Sequence, residues 1–136
     1  MKVYLAVPLV ANRSRARAEL MARAIRACGH VVTSPWVLGV PAEAGSSTVD
    51  VFQRDMKGAE SCDVLVADVS APSIGVGMEI MAAYKAGRRI VAVARKGGAL
   101  STMLRHMEGK ETLEYQEEEE IYEGLTALLR RLPEAL

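Results

Sequence analysis

The run Asp63-Val64-Leu65-Val66-Ala67-Asp68 is the strongest constraint on what this chain can become. Its apolar residues show no polar alternation, so both faces of the strand they form must be covered. A strand of that kind belongs to a parallel sheet, and parallel neighbours are joined through helical crossovers. The segment that follows agrees with this: Ser73-Ile74-Gly75-Val76-Gly77-Met78-Glu79 leads into a helical pattern over residues 75–85, closed by Gly87. The turn carries too little side-chain bulk to keep a ligand away. Glu79 is expected just inside the helix start, facing the cleft above the strand ends.

The same alternation runs through the chain. Residues 2–7 read as a first strand, and Asn12 is suited to cap a helix that runs to Cys28 and ends at Gly29. Leu20, Met21, Ala24, Ile25 and Cys28 share one face of that helix, as a core-facing helix requires. A short second strand (30–33), an irregular connection (34–48), a helix (49–60) and the third strand (63–68) follow. Beyond the helix at 75–85 come a fourth strand (89–94), a short helix (100–107), a fifth strand (111–115) and a last helix (117–132) stopped by Pro133. The expectation is an α/β protein, one domain over residues 1–136, with a doubly wound five-stranded parallel sheet in flavodoxin-like (Rossmann-like) order. Ligands of such sheets bind beyond the carboxyl ends of the strands, beside the first and third. The long connection at 34–48 reads either as a binding loop or as a surface excursion.

Several function classes find no support in the residues. The two glycines fail as a dinucleotide fingerprint, because Ile80 stands where a third glycine is needed and the motif follows the third strand rather than the first. Seventeen basic and seventeen acidic residues balance, so no broad attraction to nucleic acid polymers or anionic membranes is expected. Cys28 and Cys62 match neither a zinc site nor a redox pair and read as buried thiols of a reducing compartment. His30 and His106 are isolated and read as structural or surface residues. The apolar stretch at the N-terminus is too short for a secretory core, which makes a cytoplasmic protein the expectation.

At the expected cleft the topology collects Tyr4, Glu79, Ser73 and Ser101, with Asp55 on the helix entering the third strand. Two carboxylates without a metal-ligand cluster point to chemistry at a sugar carbon. One would act as nucleophile while the other protonates or steers the leaving group. The helix start would favour the ionised form of Glu79. Asp68 is a rival for the second role, although an aspartate at a strand end also has a local backbone-bonding reading.

The segment Gly75-Val76-Gly77-Met78-Glu79, preceded by Asp68-Val69-Ser70-Ala71-Pro72-Ser73, resembles the signature of the nucleoside 2-deoxyribosyltransferase superfamily. Within it the chain is most similar to the 2'-deoxynucleoside 5'-phosphate N-hydrolases. The resemblance extends from Val3-Tyr4 through Gln53-Arg54-Asp55 to Leu100-Ser101-Thr102-Met103 and the acidic tail helix. It implies Glu79 as the nucleophile that forms a glycosyl-enzyme intermediate, Asp55 as the carboxylate assisting departure of the base, and Tyr4 as the tyrosine beside the nucleophile. It further implies Ser73 and Ser101 as 5'-phosphate ligands, Gly75 and Gly77 as substrate-binding positions, and a homodimer in which Ser101 reaches in from the neighbouring subunit. No cofactor and no metal is implied.

The first loop departs from that pattern. Pro8 and Val10 stand where a serine and an arginine would contact phosphate. Asn12, Arg13, Ser14 or Arg15 are candidate substitutes, or else simply a capped and solvated helix start. Three functions are therefore carried forward. They are hydrolysis of 2'-deoxynucleoside 5'-monophosphates, base exchange on unphosphorylated deoxynucleosides, and a non-catalytic nucleotide-binding or sensing domain.

Overall fold

The computed structural model describes residues 1–9, 14–39 and 50–133. Five strands form one parallel sheet: β1 (Lys2–Ala6), β2 (Val31–Val32), β3 (Val64–Asp68), β4 (Arg89–Arg95) and β5 (Glu111–Tyr115). Their order is β2-β1-β3-β4-β5, the flavodoxin-like order expected. The helices are α1 (Arg15–Ala27), α2 (Val51–Ser61), α3 (Ile74–Lys85), α4 (Thr102–Arg105) and α5 (Glu120–Arg131). A 3-10 turn over Pro35–Leu38 occupies the start of the connection that reads as irregular in the sequence. The rest of that connection, residues 40–49, lies outside the described residues. Among the described residues no helix is long and apolar enough to cross a membrane.

The sheet divides the core because side chains alternate across each strand. Val3, Leu5, Val64, Val66, Val91 and Val93 pack with Met21 and Ile25 of α1 and with Ile121, Leu125 and Leu129 of α5. On the opposite face Tyr4, Leu65 and Ile90 pack with Ala59 of α2 and with Val76, Ile80 and Ala83 of α3. Tyr4, Leu65 and Ile90 stand side by side in register, and the next row on that face is Ala6, Ala67 and Ala92. A row of alanines leaves room beneath the α2 and α3 layer toward the carboxyl ends of the strands.

Two polar devices fix the architecture. Strand β2 ends at Val32, and Thr33 N adds one more bond to the outer edge of β1, donating to Val3 O at 2.9 Å. The buried Ser34 hydroxyl takes over, accepting from Leu5 N at 2.9 Å and donating to Leu5 O at 2.8 Å. At the end of β3 the fully buried Asp68 accepts from Arg17 Nε at 2.9 Å and from Ser70 N at 3.0 Å. Asp68 thereby ties α1 to the loop after β3, with the local backbone bond that the structural reading of a strand-end aspartate has.

Element boundaries differ from the sequence reading mainly at helix starts. Ser14 rather than Asn12 caps α1, its Oγ accepting from Arg17 N at 3.2 Å. Val10, Asn12 and Arg13, on which the first-loop reading turns, lie outside the described residues. The acidic run opens α5, and Glu120 accepts from the Gln116 and Glu117 amides, both at 3.2 Å. Cys62 is buried as expected, with its thiol pushed up to about 11 by burial, whereas Cys28 is only half-buried.

Removing one partner of the Arg17–Asp68 pair leaves a buried charge alone. Arg17→Met is expected to lower unfolding free energy by about 3–5 kcal/mol, and the double variant Arg17→Met with Asp68→Leu to recover much of that loss, in denaturant titrations.

Candidate active site

Glu79 is the sixth residue of α3, beyond the first turn in which the sequence reading places it. Burial dominates its electrostatics. The carboxyl is 8% exposed, and desolvation pushes its pKa up to about 7. The Tyr4 hydroxyl, donating a hydrogen bond to Glu79 Oε2, acts in the opposite direction; the charge of Asp55 adds to the rise and that of Arg54 offsets it. The expectation that the helix start keeps Glu79 ionised is therefore corrected, since desolvation outweighs what a helix dipole contributes past its first turn. Tyr4 itself is held protonated by burial and by the adjacent carboxylates, so it is a permanent donor to Glu79.

Each partner is delivered by a different element. Tyr4 projects from β1 toward α2, and its ring meets Trp36 of the 3-10 turn edge-on, with centroids 6.1 Å apart. Asp55 comes from α2 and acts electrostatically on both Tyr4 and Glu79, so the structure does bring it to the site. Its Oδ1 accepts from Arg54 Nε at 2.8 Å, and the Arg54 guanidinium lies 4.1 Å from the centre of the Trp36 ring. Gly58 makes the approach of α2 feasible. A Cβ there would fall 2.6 Å from Tyr4 Cε2 and 2.9 Å from Cδ2 of a ring whose hydroxyl and edge are both held.

Ser73, Gly77 and Ser101 form a second group. Ser73 caps α3, its Oγ accepting from Val76 N at 3.3 Å, which leaves its hydroxyl hydrogen for another acceptor. Ser73, Gly77 and Ser101 line a groove of about 660 Å³ between α3 and α4, walled by Met81, Leu100 and Met103 among others. Tyr4, Glu79 and Asp55 come together around the Tyr4–Glu79 hydrogen bond, and Ser73 and Ser101 line the groove between α3 and α4. Gly75 and Gly77 are both exposed, and an added Cβ at either would meet open space.

Sequence reasoning passed over Gly58, Trp36 and the role of Arg54. Gly58 sits mid-helix three residues after Asp55, and Trp36 is the single tryptophan of the chain. Either signal was available, but neither reveals that both residues bear on Tyr4.

An open parallel α/β sheet thus carries a cluster of two carboxylates and a tyrosine beside its first and third strands. The family model described as nucleoside 2-deoxyribosyltransferase matches residues 3–126, and the chain belongs to that family. A protein of Thermofilum pendens named "Putative 2'-deoxynucleoside 5'-phosphate N-hydrolase 1" is 35% identical over 136 residues, 95% of each chain. Its namesake from Methanococcoides burtonii is 32% identical over 108 residues, 76% of this chain and 88% of that one. Among solved structures, the CMP N-glycosidase BcmB of Clostridium botulinum superposes with a TM-score of 0.67 at 20% identity, over 92% of this chain and 98% of that one, a likeness of fold.

The raised carboxyl has a consequence for stability. A group whose folded pKa exceeds its unfolded value takes up a proton on folding. Its stabilising contribution is complete below the ordinary carboxyl value of 4.5 and is lost as pH rises toward about 7. Glu79→Gln does not titrate. Its stability relative to the unsubstituted protein should therefore rise between those pH values, by about 1–3 kcal/mol in all, as read from paired thermal or urea unfolding curves.

Proposed function

We propose that the chain hydrolyses the N-glycosidic bond of 2'-deoxynucleoside 5'-monophosphates, releasing free base and 2-deoxyribose 5-phosphate. The observation that carries this reading is the buried Glu79 carboxylate, hydrogen-bonded by Tyr4 and accompanied by Asp55. Support comes also from relatives matched over most of the chain whose names specify N-hydrolases of such nucleotides.

In this mechanism Glu79 attacks the anomeric carbon, forming a carbon–oxygen bond as the bond to the base nitrogen breaks and its electron pair leaves with the base. Tyr4 orients the attacking carboxylate. Asp55 serves the departing base through Oδ2, since Oδ1 is engaged by Arg54. Water then attacks the same carbon, its proton passing by way of Asp55 to the departed base nitrogen, as the carbon–oxygen bond to Glu79 breaks and frees the carboxylate. Burial of Glu79 contributes reactivity, because a carboxylate with few hydrogen bonds is a stronger nucleophile than a solvated one.

The 5'-phosphate is assigned to Ser73 and Ser101, with the amides at the start of α3 and the open positions at Gly75 and Gly77 admitting its oxygens. Ser101 is assigned from a second copy of the chain, and with it a homodimer, as the resemblance to the family implies. The exposed side chains of Ile74, Met81 and Met103 near that groove give the contact an apolar component.

Chromatography of purified protein incubated with deoxynucleoside monophosphates is expected to reveal free base without any added acceptor base. Unphosphorylated deoxynucleosides should release it at least tenfold more slowly. Release should rise with pH through about 7 as Glu79 ionises, and Glu79→Ala should abolish it while nucleotide binding persists. Base exchange on unphosphorylated nucleosides that depends on an acceptor would replace this reading with transfer.

A further inference from the structure

Arg54 touches no reacting atom in the mechanism above, yet it is a cation at a site holding two carboxylates. Its side chain is 19% exposed and that of Asp55 is 14% exposed, so their 2.8 Å contact is a partly desolvated ion pair rather than a surface one. The guanidinium plane rests on Trp36 at 4.1 Å, and Trp36 in turn abuts Tyr4. Tyr4, Trp36, Arg54 and Asp55 thus form a connected series of contacts bordering Glu79. A guanidinium, planar and with donors in its plane, can stack on an indole and hydrogen-bond a carboxylate at once.

Resting on the function proposed above, we infer that Arg54 is a positioning residue for the glycosidase reaction. Seated on Trp36 and bound to Asp55, it fixes the second carboxylate beside Glu79 and offsets the repulsion between the two. The groups acting on Glu79 are Tyr4 from β1 and Asp55 and Arg54 from α2; the 3-10 turn contributes the neutral Trp36. Of these charges, Arg54 alone favours ionisation of Glu79, and Asp55 opposes it. Without Arg54, Asp55 loses both its orientation and its counter-charge, and Glu79 ionises at higher pH.

The test compares Arg54→Gln and Arg54→Lys with the unsubstituted protein in two readouts. The first is the Glu79 side-chain carboxyl titration followed by carbon-13 NMR, assigned by its disappearance in Glu79→Gln, which needs no substrate. The second is the pH profile of kcat/KM for base release. Arg54→Gln is expected to move the midpoint upward by on the order of one pH unit in both readouts, with kcat/KM at neutral pH falling about tenfold. Arg54→Lys should restore the midpoint but not the full rate, because it supplies charge without the planar fork.

An unchanged midpoint in Arg54→Gln would overturn the inference. So would a shift that Lys fails to restore, since that is the signature of loosened packing. Should the unsubstituted protein release no base, the proposed function falls, while the carboxyl titration still decides whether Arg54 controls Glu79.

Discussion

The hydrogen bond from Tyr4 to the buried Glu79 carboxyl is the interaction around which the rest of the α2 and α3 layer is arranged. Removing a carboxylate from water is costly, and a protein that does so must either neutralise the group or surround it with donors and opposite charge. Here both occur to a degree. The pKa is lifted to about 7, so the group sits at the border between acid and anion near neutral pH, with one strong donor and one nearby cation helping the anion. A structural glutamate would gain from staying in water. One held at this border is suited to chemistry that needs an exposed reactive oxygen and little competing hydration.

The surrounding architecture follows from making room for that contact. Gly58 lets α2 press against the Tyr4 ring where any side chain would collide, and the alanine row Ala6, Ala67, Ala92 thins the sheet surface next to it. On the other face large aliphatic residues fill the space under α1 and α5, and the Arg17–Asp68 pair locks α1 to the loop leading toward α3. The face that carries the site therefore has the smaller residues, and the opposite face has the larger packed core. Gly58 also gives up helix propensity of about 1 kcal/mol relative to alanine, a local cost consistent with a position kept for geometry.

Much of this was legible in the sequence because it depends on periodicity. The uninterrupted apolar run of β3, the fifth strand at Glu111–Tyr115 and the alternation of elements point to the sheet order, and the Gly75-to-Glu79 motif together with the separated motifs around Tyr4, Asp55 and Ser101 points to the family. What escaped depends on distances between elements far apart in the chain. The raised pKa of Glu79 escapes such a reading because helix position is visible in a sequence and burial is not. Ser34 reads as the start of a loop, although its hydroxyl continues the edge of β1, and Trp36 and Gly58 gain meaning only when Tyr4 is seen between them.

The central claim is that Glu79 bonds covalently to the sugar. Intact-protein mass spectrometry after rapid acid quench of a reaction with a deoxynucleoside monophosphate, followed by peptide mapping, addresses it directly. The account predicts a transient adduct with the mass of a deoxyribose phosphate residue, localised to the peptide containing Glu79 and absent from Glu79→Gln. Base release with no adduct on that peptide at any quench time, together with substantial turnover by Glu79→Gln, would contradict it.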